Sequence, residues 1–148
     1  FTTNSATLLT ATSPAGLVGQ TVDITVTTPG GTSAVSSADL FTYTLQYQAK
    51  NQSTTTPYTT LAEAITNASA GHEIRAYGGQ FDGGLSLVRD IILNGGYNMA
   101  FSAKDSLPTT LNGSLTVTGG TARVDSVTVK GVLTIGNGSL QASGLVVQ

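Results

Sequence analysis

Apolar residues along this chain fall into short alternating runs broken by turn residues. In "TVDITVTTPGG", Val22, Ile24 and Val26 alternate with polar neighbours, which predicts a strand with one buried face. "SPAG" and "TPGG" supply turns on either side, and "ADLFTYT" offers Leu40, Phe41 and Tyr43 for a closing strand. Residues 6–44 therefore read as a β-sandwich segment with no chemistry of its own.

The pattern then changes twice. Residues 45–57 are polar, contain a proline and break the alternation, which reads as a link between modules. In "TTLAEAITNASAGHEI", Leu61, Ala64, Ile65 and Ala68 follow helical spacing, with Thr59 or Thr60 as the cap and Gly71 as the stop. This is the one helix the pattern predicts, and its Leu61/Ile65 face is placed to lie across the end of an apolar core. Period two returns with Ile74 and Ala76, Leu85 and Leu87, then Ile91 and Leu93, separated by glycine pairs that suit sharp corners. "YNMAFSAKDSLPTT" interrupts this rhythm as an excursion loop.

From Ser114 the chain repeats itself at an offset of eighteen residues. The offset sets Leu115 on Leu133, Val117 on Ile135, Ala122 on Leu140, Val124 on Ala142, Val127 on Leu145 and Val129 on Val147. In-register pairing of such repeats stacks equivalent side chains at a spacing of ~4.8 Å. Six inward columns result, with Thr116/Thr134 and Thr128/Val146 as outward ladders. The helix closes one end of this stack, and the rim after Gln148 has no comparable cap, which makes the rim a place to look for function.

Composition narrows the classes. The chain has 148 residues, room for one or two small domains, and only 9% are charged against a usual ~25%. A formal charge of −2 disfavours nucleic acid as a partner. No apolar run approaches the ~18 residues of a membrane span. Cysteine is absent, so disulfides and thiol chemistry are excluded. The Thr-, Ser-, Gly- and Asn-rich surface points to an extracellular or cell-surface location, and the chain reads as starting inside a domain with no leader visible.

Two stretches resemble known families. "PAGLVGQTVDITVTTPGGTSAVSSADLFTY" closely resembles the second half of an IPT/TIG domain, an immunoglobulin-like module of bacterial surface proteins; the likeness covers residues 1–44 and lacks the usual glycine-rich opening. Such a half-sandwich leaves strand edges unpaired, either because upstream sequence belongs to it or because another chain covers that face. "YTTLAEAITNASAGHEIRAYGGQFDGGLSLVRDIILNGGYNMAF…TTLNGSLTVTGG" is similar to the capped N-terminal end of a right-handed parallel β-helix of the pectin-lyase-like kind, and the likeness covers residues 58–148. That family usually has Asp where this chain has His72 or Glu73, a departure at a turn. The resemblances imply an all-β chain: a partial Ig-like sandwich (1–44), a linker (45–57) and a short β-helix with one capping helix (58–148).

Candidate chemistry is sparse. Glycan cleavage needs two carboxylates, or carboxylates with a base or a calcium ion, converging on one groove. The acids of the second module are Glu63, Glu73, Asp82, Asp90, Asp105 and Asp125. At the eighteen-residue offset Asp125 falls on Ser143 and Arg123 on Gln141, so stacking pairs neither charge. Asp82 suits a turn, Arg89 and Asp90 a surface pair, and Asp105 has no evident partner. His72 is the only histidine, read as a helix-terminal residue, and one histidine without cysteine makes no zinc site. Four Asn-x-Ser sequons start at Asn51, Asn67, Asn112 and Asn137, a number that Ser- and Asn-rich sequence produces by chance.

The expectation is a noncatalytic extracellular structural or adhesive protein without cofactor or metal. It would assemble with copies of itself head to tail or by strand exchange, as the repeating subunit of a surface filament. Phe1, Leu8, Leu140, Leu145 and Val147 are the candidate edge residues. The alternative is a carbohydrate-binding or truncated polysaccharide-active module contacting surface glycans through Tyr77 and Tyr97.

Overall fold

Three two-stranded antiparallel ladders make up the first unit, Phe1–Leu45. They pair β1 (Thr2–Ser5) with β2 (Leu8–Thr10), β4 (Thr27–Thr28) with β5 (Gly31–Thr32), and β3 (Thr21–Asp23) with β6 (Leu40–Thr42). The computed structural model describes residues 1–5, 7–14, 16 and 19–148. The turn expected at "SPAG" contains Ala15, outside the described residues. Thr21 and Thr42 share a hydroxyl hydrogen bond at 2.9 Å, and Phe41 meets Tyr43 edge-on at 5.0 Å.

One expectation fails here. Val22 is half-buried, but Ile24 and Val26 are 49% and 47% exposed, and Leu40 and Phe41 also stay exposed. β3 stops at Asp23, so the alternation outlasts the strand, and no described residue of this unit is buried. The pattern predicts which face would be covered; it does not supply the cover.

The second unit, Gln46–Gln148, opens with a hairpin of β7 (Ala49–Asn51) and β8 (Thr56–Tyr58). This corrects the reading of residues 45–57 as a plain link. The Asn51 side-chain oxygen accepts from Ser53 N and Thr54 N at 3.0 and 3.3 Å, an Asx-type turn that reverses the chain. Helix α1 (Leu61–Thr66) follows, with Thr60 as N-cap accepting from Glu63 N at 3.1 Å. It ends at Asn67, not at Gly71; Gly71, at φ 82°, turns the chain into the next strand instead. Leu61, Ala64, Ile65 and Ala68 are all buried, as their spacing predicts.

Then the chain makes successive circuits. The first is β9 (His72–Tyr77), β10 (Gln80–Asp82) and β11 (Leu85–Leu87); the second is β12 (Ile91–Tyr97), β13 (Thr109–Asn112) and β14 (Leu115–Val117). The third is β15 (Thr121–Val129) and β16 (Leu133–Ile135), followed by β17 (Ser139–Val147). Every neighbouring pair of circuits is parallel. Leu115 pairs Leu133, Thr121 pairs Ser139 and Val129 pairs Val147, the eighteen-residue register read from the sequence. Leu85 pairs Leu115 instead, thirty residues on, because the excursion adds chain without adding a ladder position. Two sheets result: a three-stranded β11-β14-β16 sheet and a larger curled, mixed one in which β7 joins β9 antiparallel.

β15 serves two faces of this curled sheet, pairing with β12 through Ala122–Asp125 and with β13 through Val127–Val129. It bends between them at Ser126, whose φ is +56°; Gly96 at +75° and Gly144 at +62° occupy the same corner in the circuits on either side. Left-handed residues stacked in this way let one strand turn a corner without leaving its register. Ile74, Leu93 and Val124 fill one inward column; Leu111 and Val129 fill another; Leu115 and Val117 face them from the third side. α1 packs against β7, β8, β9 and β11, across the end of the first circuit.

Candidate functional site

Outward-facing residues of β9, β12, β15 and β17 form two columns. Glu73, Ile92, Arg123 and Gln141 make one; Arg75, Asn94, Asp125 and Ser143 make the other. Glu73, Arg75, Arg123 and Asp125 put four charges on this face, and the excursion between β12 and β13 folds back onto it through Phe101 and Lys104. That excursion begins as a tight return: Tyr97 bridges Lys104, Asn98 N donates to Ala103 O at 2.9 Å, and Asp105 N to Gly96 O at 2.6 Å. Phe101, at φ 55° and 4% exposed, anchors its tip.

Lys104 ties the loop down. Its Nζ donates to Gly95 O at 2.6 Å and to Asp125 Oδ2 at 3.0 Å. Arg75 donates from Nε to Glu73 Oε1 at 3.1 Å and from Nη1 to Phe101 O at 3.0 Å, while Asn94 Nδ2 donates to the same Glu73 oxygen at 3.0 Å. The Tyr97 ring lies under both cations, with the Arg75 guanidinium 4.8 Å and the Lys104 ammonium 5.1 Å from its centre.

The two carboxylates are held charged by these partners. Burial pushes Glu73 upward, but hydrogen bonds from Asn94 and Arg75 and the charges of Arg75 and Lys104 outweigh it, so the net shift is downward. The Lys104 hydrogen bond lowers Asp125 most, against a smaller effect of burial. A carboxylate with a depressed pKa adds stability above its unfolded value, near pH ~4, and loses it as the pH falls through the folded one. Neither group is poised to give or take a proton near neutrality, and each already accepts hydrogen bonds from a cation beside it. This cluster fastens a loop.

The other acids are spread out. Asp90 Oδ1 accepts from Thr121 N at 2.6 Å, Asp82 Oδ1 from Asn112 Nδ2 at 3.0 Å and Asp105 Oδ1 from Ser106 N at 2.7 Å. Arg89 donates to Ala68 O at 2.5 Å and makes no ion pair with Asp90, correcting the expected surface pair. His72 begins β9 instead of ending the helix; its Nδ1 lies 2.9 Å from Asn51 Nδ2 and 3.3 Å from Ser69 N. Among the described residues no group of three His, Cys, Asp or Glu side chains converges to hold a metal ion. A recess of about 400 Å³ is lined by Asp90, Ile92, Thr121, Arg123 and Gln141.

Of the residues singled out for sugar contact, Tyr77 is half-buried and Tyr97 is 8% exposed, its ring taken up by Arg75 and Lys104. Those singled out for assembly are more open: Phe1 is 93%, Leu8 57% and Val147 48% exposed, while Leu140 and Leu145 are half-buried. Val147 continues a column whose previous member, Val129, is fully buried, and Ile135 at 50% does the same above Val117. Among the described residues β17 pairs only with β15, and β16 only with β14. Residues 131–148, which include both strands, carry no charged side chain.

Sequence reasoning passed over Lys104, the Arg75–Tyr97 stack and Asn94. The only available signal was the alternation of β9 and β12, and the excursion hid the thirty-one-residue step that sets Asn94 beside Asp125. Comparison with protein-family models, with curated proteins and with solved structures finds no match to this chain. No helix among the described residues is long and apolar enough to cross a membrane.

Proposed function

We propose that this chain is a noncatalytic structural or adhesive module of an extracellular surface protein, a partial IPT/TIG sandwich followed by a short, right-handed, helix-capped parallel β-helix, and that it works by assembling with copies of itself. The observation that carries this reading is the edge of β17, which among the described residues pairs with β15 alone. Strand edges invite pairing, and proteins blunt them with charge, proline or a covering element. β17 has neither charge nor proline, and its inward side chains Leu140, Leu145 and Val147 are only partly covered. A second copy adding a strand there would extend the ladder through main-chain hydrogen bonds, with the apolar columns giving register.

The spent polar chemistry supports the noncatalytic half of the reading. Glu73 and Asp125 are committed to Arg75, Asn94 and Lys104, and Tyr97 offers no free face for a sugar ring. Low charge and a composition rich in Thr, Ser, Gly and Asn suit the surface location. Light scattering and electron microscopy over a concentration series test the assembly. Association of the purified chain is expected, together with its loss in a Gln141→Lys, Ser143→Lys variant whose circular dichroism is unchanged. A chain that stays monomeric and forms no filaments at high concentration rejects the reading.

A further inference from the structure

Three Asn-Gly dipeptides occur in the chain, at Asn94-Gly95, Asn112-Gly113 and Asn137-Gly138. Glycine leaves the backbone nitrogen unhindered, so that nitrogen can close on the preceding side-chain amide; asparagine is thermolabile for this reason. The fold requires glycine at all three places. A Cβ on Gly95 would overlap Ser126 O, one on Gly113 would overlap Gly83 O, and one on Gly138 would sit 2.8 Å from Val117 Cγ1. What differs is how each asparagine is held.

Asn94 is half-buried beneath the excursion, with Nδ2 on Glu73 Oε1 at 3.0 Å, and Lys104 clamps the Gly95 carbonyl beside it at 2.6 Å. Asn112 donates from Nδ2 to Asp82 Oδ1 at 3.0 Å and to Gln80 Oε1 at 3.4 Å. Asn137 is exposed in the short link between β16 and β17, with glycine on both sides, and its side chain makes no hydrogen bond among the described residues. We infer that Asn137 is the site of spontaneous deamidation in this chain, and that the fold protects Asn94 and Asn112, which carry the same dipeptide.

The step is balanced without a co-reactant other than water. The Gly138 nitrogen gives up its proton and bonds to the Asn137 side-chain carbon, and the Nδ2 group leaves as ammonia. Water then opens the succinimide at one carbonyl or the other, giving aspartate or isoaspartate. Either product puts the first negative charge into residues 131–148. Isoaspartate also lengthens the main chain by one methylene beside Ser139, whose N–H is bonded to Gly120 O at 2.9 Å.

Peptide mapping by mass spectrometry tests this on the full chain, made in a host without N-glycosylation because Asn137-Gly138-Ser139 is also a sequon. At mildly alkaline pH the folded chain is expected to convert Asn137 at least about tenfold faster than Asn94 or Asn112, a ratio equal to ~1.4 kcal/mol of barrier. In guanidinium chloride the three rates should converge. The inference fails if Asn94 or Asn112 keeps pace in the folded chain, if Asn137 does not convert, or if the same ordering persists after unfolding.

Discussion

Thr109 shows how much one hydroxyl can hold in an apolar stack. It pairs with Val127 in an inward column and is fully buried. Its hydroxyl donates to Tyr77 O at 2.7 Å and accepts from Gly96 N at 2.9 Å, at the place where the excursion leaves β12 and returns as β13. Thr109→Val keeps the volume and removes both bonds, leaving a buried donor and acceptor unpaired. The expected loss is ~1–3 kcal/mol, seen as a lower denaturant midpoint at unchanged slope. An unmoved midpoint would mean that the two backbone groups find other partners. Nothing in "SLPTTLN" identifies this threonine as inward, because the pattern marks apolar residues and Thr109 does an apolar residue's packing with a polar group.

At the scale of elements, local signals were legible and distant ones were not. The spacing of Leu61, Ala64 and Ile65 belongs to one short segment, so α1 could be read directly, together with its task of closing the first circuit. β7 and β8 are three residues each and exist only because β7 lies against β9, a pairing between Ala49 and Ala76 that no local period announces. The two contributions to α1 can be separated. Thr60→Ala removes the bond to Glu63 N and should cost ~1 kcal/mol. Leu61→Ala empties a site that is 2% exposed against the apolar end of the stack and should cost ~2–5 kcal/mol. Thermal or chemical unfolding of the two variants measures the order. Equal losses would show that the helix merely caps itself and closes nothing.

Across the whole molecule, the eighteen-residue register was readable from Ser114 onward because nothing interrupts it there, and the observed pairs follow it. The earlier circuits were hidden by the eleven residues between Tyr97 and Thr109, which turn the step of nineteen from His72 to Ile91 into one of thirty from Leu85 to Leu115. A stack in which each circuit touches only its neighbours has its stability shared out along its length. β15 is paired on both sides and Val124 is 1% exposed, whereas β17 is paired on one side and Val147 is 48% exposed. Amide hydrogen exchange should therefore be slowest in β12 and β15, faster in β16 and β17, and fastest in the first unit, where no described residue is buried. Uniform exchange from β9 to β17 would mean that the stack opens only as one body. Raising the protein concentration separates the edge from the rest. If a second copy adds a strand to β17, its amides slow with concentration while those of β12, already paired on both sides, do not change; equal slowing in both, or in neither, would place the association elsewhere.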